Sequence, residues 1–334
     1  MIADGAGPVV VLGASGFVGS HVVRALLAAG VGPLRVVSRR PAPVPPGAAV
    51  EVVTADLGKF GAAAAALTDA TAVVHLVADI DATGGRGWRT AEGTTDREGP
   101  ADEVLTTVVD ALSRSPRAVP VVWAGSVTQV GARASVLVDG TEPDRPETAY
   151  DRGKCRDERL LFDAGRRGVL HPVPLRLPTL YGPPAAPGCS PGGGVVAAMV
   201  RRAIDGLPLT MWNDGRVTRD LLHVRDAATA IVRALHAPGG DRAWVIGGDT
   251  PITLGELFSR ISAVTATVTG SPAVSVDQVP APDYATAEDL RGIAVLSTAF
   301  REATGWAPAI GLAEGLRETV EHEVRHRRPG LVAD

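Results

Sequence analysis

The sequence has only two cysteines, Cys155 and Cys189, in 334 residues. They form no CxxC pair, which argues against a thiolate zinc site and against a disulfide framework. Two free thiols in a reducing cytoplasm is the expected state. An excess of basic charge is also missing. The formal net charge is -4, and a broad nucleic-acid surface needs clustered Lys and Arg. No long hydrophobic run occurs: the longest begins at Val9 and is broken by Gly13, Gly16 and Gly19, so no membrane span is expected. Met1 to Pro8 lacks the basic and apolar regions of a secretory signal. We therefore expect a cytoplasmic protein with no nucleic-acid or membrane partner. The run from His322 to Arg328 is expected to be a solvated helix end, and no metal site is expected.

What is present is an alternation of short apolar runs with helical stretches. Val9–Leu12, Leu34–Val37, Val50–Val53, Ala72–Leu76, Val119–Trp123 and Val173–Leu177 read as strands. Continuous apolar strands separated by helices imply a parallel sheet covered on both faces. The expected class is α/β, a doubly wound parallel sheet of the Rossmann type with a smaller α/β substrate-binding domain. Beyond Pro183 the texture changes: a loop rich in Pro and Gly, Pro184 to Gly194, precedes shorter elements. We place the dinucleotide-binding domain at 1–183 and 219–247, and the substrate domain at 184–218 and 248–334. The polar segment Gly84 to Gly99 follows the fourth strand, at the sheet edge where ligands bind.

Gly13-Ala-Ser-Gly16-Phe-Val-Gly19 follows a strand and opens a helix. In that context the glycines permit a tight turn, close approach to a pyrophosphate and close helix–strand packing. The helix N-terminus then favours the phosphate charge. At the end of the second strand, where NAD-preferring sites place a carboxylate, the chain reads Ser38-Arg39-Arg40. Two guanidinium groups suit the 2′-phosphate of NADP(H). Asp56 and Leu57 would lie beside the adenine. Further on, Tyr150 and Lys154 are four residues apart in a segment read as a helix from about Thr148 to Ala164, so they share a face. A nearby cation favours the tyrosinate and makes Tyr150 a usable acid or base. Ser126 follows the fifth strand, where its hydroxyl could hold a carbonyl oxygen.

Together these segments resemble the extended short-chain dehydrogenase/reductases over nearly the whole chain. The resemblance is carried by Val11–Gly19, His75-Leu-Val-Ala78, Trp123-Ala-Gly-Ser126, Tyr150 with Lys154, Leu175–Pro183, Arg219–Val224 and Thr304–Pro308. Asp139–Thr148 and Leu209–Gly215 are similar to the dTDP-4-keto-6-deoxyhexose 4-ketoreductases of antibiotic deoxysugar pathways. The resemblance implies reduction of a C4 ketone on a dTDP-sugar by NADPH. It implies cofactor contacts from Gly13, Ser15, Gly16, Phe17, Val18, Gly19, Arg39, Arg40, Asp56, Leu57, Leu76, Val77, Ala78, Tyr150, Lys154 and Pro178. Ser126 would orient the carbonyl, Tyr150 protonate its oxygen, and Lys154 bind the nicotinamide ribose. Ser126, Thr128, Thr179, Trp212, Arg219 and Arg291 would meet the substrate, the two arginines at its diphosphate and Trp212 at its base. A homodimer is compatible with this.

The chain also departs from its relatives. Ala101 stands where many carry an Asn that supports a proton relay, and Thr179 where many have Asn. Val127 and Thr128 replace the Asp-Glu pair of the 4,6-dehydratases, so elimination of water lacks its catalysts. His75, His223 and Cys155 are read as structural. Two alternatives stay open: an epimerase that retains NAD, and a binding module that keeps the fold without the chemistry.

Overall fold

The computed structural model describes residues 7–77, 101–131, 137–283, 285 and 290–327. In chain order the elements are β1 (Val9–Leu12), α1 (Phe17–Ala28), β2 (Leu34–Ser38), β3 (Val50–Thr54), α2 (Phe60–Ala66), β4 (Ala72–His75), α3 (Ala101–Leu112), β5 (Pro120–Ser126), β6 (Leu137–Val138), α4 (Ala149–Arg166), β7 (His171–Leu177) and β8 (Thr179–Tyr181). There follow α5 (Gly194–Ile204), β9 (Leu209–Trp212), β10 (Thr218–Arg219), β11 (Leu221–His223), α6 (Val224–Ala234), β12 (Trp244–Val245), β13 (Ile252–Thr253), α7 (Leu254–Thr269), β14 (Val276–Val279), β15 (Ala294–Val295), α8 (Thr298–Thr304) and α9 (Leu312–Arg327).

Seven strands form one sheet in the order β12-β7-β5-β4-β1-β2-β3. Every neighbouring pair in it is parallel, the doubly wound Rossmann arrangement expected from the apolar runs. Val9 to Leu12 and Ala72 to Val74 are at most 2% exposed, because helices cover both faces. On one face α1 and α6 contribute Val22, Leu26, Ala227 and Ile231 to a core with Val9, Val11 and Val74. On the other, α3 and α4 contribute Leu105, Val108 and Leu161 against Val10, Leu12 and Trp123. Each large apolar side chain buried this way contributes about 1.5–3 kcal/mol.

The strand order reverses at β1, with β2 and β3 on one side of it and β4, β5, β7 and β12 on the other, so a crevice opens at the carboxyl ends of β1 and β4. A third core gathers Val196, Met199, Leu209, Leu257, Phe258, Leu316 and Val320. It is built from α5, β9, α7 and α9, with Tyr181 and Leu221 joining it. Phe300 of α8 and the following Trp306 pack instead on the sheet core.

One strand runs further than its apolar run. β5 continues through Ala124, Gly125 and Ser126, which pair with Leu175, Arg176 and Leu177 of β7. The extension is held by buried polar groups. Arg176 donates from Nε to Glu158 Oε2 at 3.0 Å and from Nη2 to Glu158 Oε1 at 2.5 Å, and it lies 2.8 Å from Asp144. Gln129 Nε2 donates to the same Glu158 at 3.2 Å. A bidentate pair of this kind fixes orientation as well as charge, and here it sets α4 against the end of β5.

Candidate active site

The glycine loop forms a cradle that side chains would fill. Gly13 has φ +86°, and a Cβ there would lie 2.9 Å from the Leu76 carbonyl. A Cβ on Gly19 would collide with the Gly13 oxygen. Helix α1 begins after Gly16 with no side-chain cap, so first-turn N–H groups are left for an anion to accept from. These features fit a dinucleotide pyrophosphate. Leu76 and Val77 leave β4 against this loop, while Ala78 lies outside the described residues. Leu57 is buried, and Asp56 Oδ1 accepts from the Gly58 N–H at 3.2 Å. After β2, Ser38 Oγ donates to the Arg40 carbonyl at 2.6 Å, which turns the chain sharply. Arg39 and Arg40 are both exposed there. Arg40 Nη2 donates to Ser190 Oγ at 3.2 Å.

Ser126, Tyr150 and Lys154 come together at the carboxyl end of β5. Helix α4 opens on a capping box in which Thr148 and Asp151 each accept from the other's backbone N–H. This places Tyr150 in the first turn, 36% exposed. Lys154, one turn on, is buried. Its Nζ donates to the Ala124 carbonyl at 2.7 Å and sits 4.5 Å from the centre of the Trp123 ring and 5.6 Å from that of Tyr150. Lys154 is thus pinned by β5 itself, on the side of Tyr150 that helix periodicity requires.

Ser126 caps the short turn Val127–Val130. Its N–H donates to Gln129 Oε1 at 2.9 Å, and its Oγ accepts from the Thr128 N–H at 3.3 Å. Ser126 Oγ and Thr128 Oγ1 are 2.8 Å apart, and Thr128 Oγ1 donates to Asp151 Oδ1 at 2.6 Å. Asp151 is completely buried, and its Oδ2 also accepts from Thr148 Oγ1 at 2.5 Å. A hydroxyl carries one proton. With the Thr128 proton committed to the carboxylate, the Ser126 proton closes the contact to Thr128. Ser126 would give its proton to a carbonyl only by breaking the bond to Thr128.

The other residues expected at the substrate lie beyond β7 in the chain. Thr179 is half-buried on β8, following Pro178, and Trp212 is half-buried at the end of β9, outside the apolar cores. Arg219, on β10, donates from Nη1 to the Arg291 carbonyl at 2.7 Å and to that of Thr218 at 3.1 Å, which brings the two expected diphosphate residues together. Asp220 ties this region down, accepting from the Gly248 N–H at 2.6 Å and the Val295 N–H at 3.2 Å. Burial pushes its carboxyl up to about 6.

His75 is fully buried at the end of β4, and burial, with the Lys154 charge second, lowers its imidazole to about 3. His223 is likewise lowered to about 3, by burial first and the Arg225 charge second. Its Nδ1 accepts from the Arg225 N–H at 3.3 Å and caps α6. Burial pushes the Cys155 thiol up to about 12. In the C-terminal helix, His322-Glu-Val-Arg-His326 has the spacing of a zinc-binding HExxH helix. The donor set does not complete such a site. Glu323 is paired with Arg201 at 3.2 Å, and no group of three His, Cys, Asp or Glu is arranged for a metal among the described residues.

Two functional candidates were not legible as such. Asp151 was visible only as the x after Tyr150, yet Thr148-x-x-Asp151 and Ser126-x-x-Gln129 are both capping-box patterns that place the polar groups of this site. Ser190 carries no local signal at all.

The model of the NAD dependent epimerase/dehydratase family matches residues 9–247. The chain belongs to this family. A UDP-glucose 4-epimerase of Azospirillum brasilense is 28% identical across 92% of this chain and 89% of the relative. A UDP-glucose 4-epimerase of Mycolicibacterium smegmatis is 30% identical across 54% of each chain, so that match spans about half of the relative's length. A dTDP-glucose 4,6-dehydratase of Streptomyces griseus is 28% identical across 56% of this chain and 53% of its own. Among solved structures, the Thermus thermophilus UDP-glucose 4-epimerase in complex with NAD superposes with a TM-score of 0.72 at 26% identity, over 94% of this chain and 98% of that one. The Thermotoga maritima UDP-glucose 4-epimerase superposes with a TM-score of 0.77 at 22% identity, over 96% and 99% of the two chains. This family member has no helix long and apolar enough to cross a membrane among its described residues.

Proposed function

We propose that the protein is an NADPH-dependent reductase of the C4 ketone of a nucleotide-linked 4-keto-6-deoxyhexose, with dTDP as the nucleotide. The observation that carries the choice is the end of β2, where Arg39 and Arg40 stand exposed and no carboxylate follows Ser38. That charge favours a 2′-phosphate. The positions that supply the acid pair of a dehydratase are Val127 and Thr128, and Thr128 is bound to Asp151.

In this reading the first 183 residues and 219–247 hold the cofactor, and the remainder holds the sugar nucleotide. NADPH, when bound, supplies the hydride. Tyr150 gives its phenolic proton to the oxygen that becomes the C4 hydroxyl. Lys154, anchored on the Ala124 carbonyl, keeps a positive charge beside the tyrosinate that remains. Ser126, at the carboxyl end of β5, would orient the C4 carbonyl by exchanging its contact with Thr128 for a hydrogen bond to the C4 oxygen. Arg219 and Arg291 meet the diphosphate, Thr179 the sugar and Trp212 the base.

A second reading, an epimerase that keeps NAD and returns the hydride, is favoured by the Azospirillum relative, whose match covers nearly the whole chain. Nucleotide analysis of the purified protein separates the two. The reductase is expected to purify with little bound cofactor and to consume NADPH in preference to NADH when given a dTDP-4-keto-6-deoxyhexose. Stoichiometric bound NAD, with interconversion of C4 epimers and no net NADPH consumption, would establish the epimerase.

A further inference from the structure

The Pro- and Gly-rich segment from Pro183 to Gly194 lies across the cofactor cradle. The Pro183 carbonyl is 2.9 Å from His21 Nε2 of α1. The Ser190 N–H donates to the Ser15 carbonyl, inside the glycine loop, at 3.2 Å. Gly192 is buried against Phe17, where a Cβ would lie 2.8 Å from the ring. Its carbonyl accepts from Arg201 Nη2 of α5 at 3.3 Å. Cys189, in the middle of the segment, is 9% exposed. The consequence is at Ser190. Its backbone is fixed to the glycine loop, and its Oγ accepts from Arg40 Nη2 at 3.2 Å, in the turn after β2.

We propose that Ser190 completes the recognition site for the cofactor's 2′-phosphate, and that the segment Pro183–Gly194 is the strap that carries it there. The inference rests on the NADPH reading and deepens it. In a doubly wound fold the adenine ribose lies between the glycine loop and the end of the second strand, the two places Ser190 touches. A serine that accepts from a guanidinium keeps its own proton to donate. Arg40 and Ser190 together therefore offer a phosphate oxygen one charged and one neutral donor, with Arg39 exposed alongside. NAD carries only a hydroxyl at that carbon and gives the pair no anion to hold. The contact also explains why a segment 150 residues away in sequence from Arg40 is bound to the cofactor loop and not merely to the substrate domain.

The test is binding, measured on the full chain by calorimetry with NADPH, NADH and 2′,5′-ADP, and needs no sugar substrate. Ser190→Ala is expected to weaken NADPH and 2′,5′-ADP about tenfold, the size of one hydrogen bond to a charged group, and to leave NADH unchanged. Ser190→Asp, which sets a carboxylate against the phosphate, is expected to weaken NADPH further, again sparing NADH. Ser190→Thr keeps the hydroxyl and is expected to bind NADPH as the wild type does. Combining Ser190→Ala with Arg40→Ala is expected to cost less than the product of the single losses, since the two residues hold one group. Circular dichroism of each variant checks the fold. A wild type that prefers NADPH, with Ser190→Ala unchanged or with NADPH and NADH weakened alike, would overturn the role of Ser190 and leave the NADPH reading standing. A wild type that binds NADPH and NADH equally would overturn both.

Discussion

Asp151 shows how much of this site is decided by a completely buried carboxylate. It is buried, it holds the Thr128 proton, and through Thr128 it decides which way the Ser126 hydroxyl points. Thr128→Val should lower kcat about tenfold, as expected for losing one hydrogen bond to a charged group, with cofactor affinity little changed. Thr128→Ser keeps the hydroxyl and should restore most of the rate. Asp151→Asn should lower kcat similarly, and the double variant should be no slower than the worse single one, because all act through the same chain. Steady-state rates with a dTDP-4-keto-6-deoxyhexose measure this. Losses that multiply would show that the chain does not act as a unit.

At the scale of elements, the sequence carries the sheet well because its strands are covered on both faces. Val9–Leu12 and Ala72–Val74 must be apolar without interruption, and such runs are visible without a partner. The last residues of β5 are different. Ala124, Gly125 and Ser126 have no apolar signature, and only their pairing with β7 makes them strand. Their register places both the Lys154 anchor and Ser126, so the site depends on a tertiary pairing that local pattern does not contain. The Tyr150–Lys154 spacing was legible because a helix repeats locally. The Arg40–Ser190 contact was not, because nothing local links a turn after β2 to a loop beyond β8. The C-terminal HExxH spacing is the converse case: the local pattern is present, but Glu323 is engaged with Arg201.

The whole molecule should be sensitive to acid, and the buried histidines give the sign. His75 and His223 fall from about 6.5 to about 3 on folding. Between those values the unfolded chain binds more protons, so stability is lost as pH falls through that window. Asp157 and Asp220, raised from 3.8 to about 6 by burial, act oppositely: the folded chain binds more protons there, and stability falls as pH rises from 3.8 to 6. The histidine shifts are the larger, so Tm is expected to drop from pH 6.5 to pH 4.5. His75→Asn should flatten that slope; an unchanged slope would remove His75 as its source. Reduction of a ketone by NADPH would join the glycine loop, Tyr150 with Lys154, and Arg219 in one reaction. The most direct measurement is NADPH oxidation with a dTDP-4-keto-6-deoxyhexose by the wild type and by Tyr150→Phe, which keeps the ring and removes the proton donor. Turnover is expected for the wild type and a loss of about a hundredfold or more in the variant, with NADPH binding retained. Near-normal turnover by Tyr150→Phe, or no NADPH oxidation by the wild type, would contradict the proposed reduction.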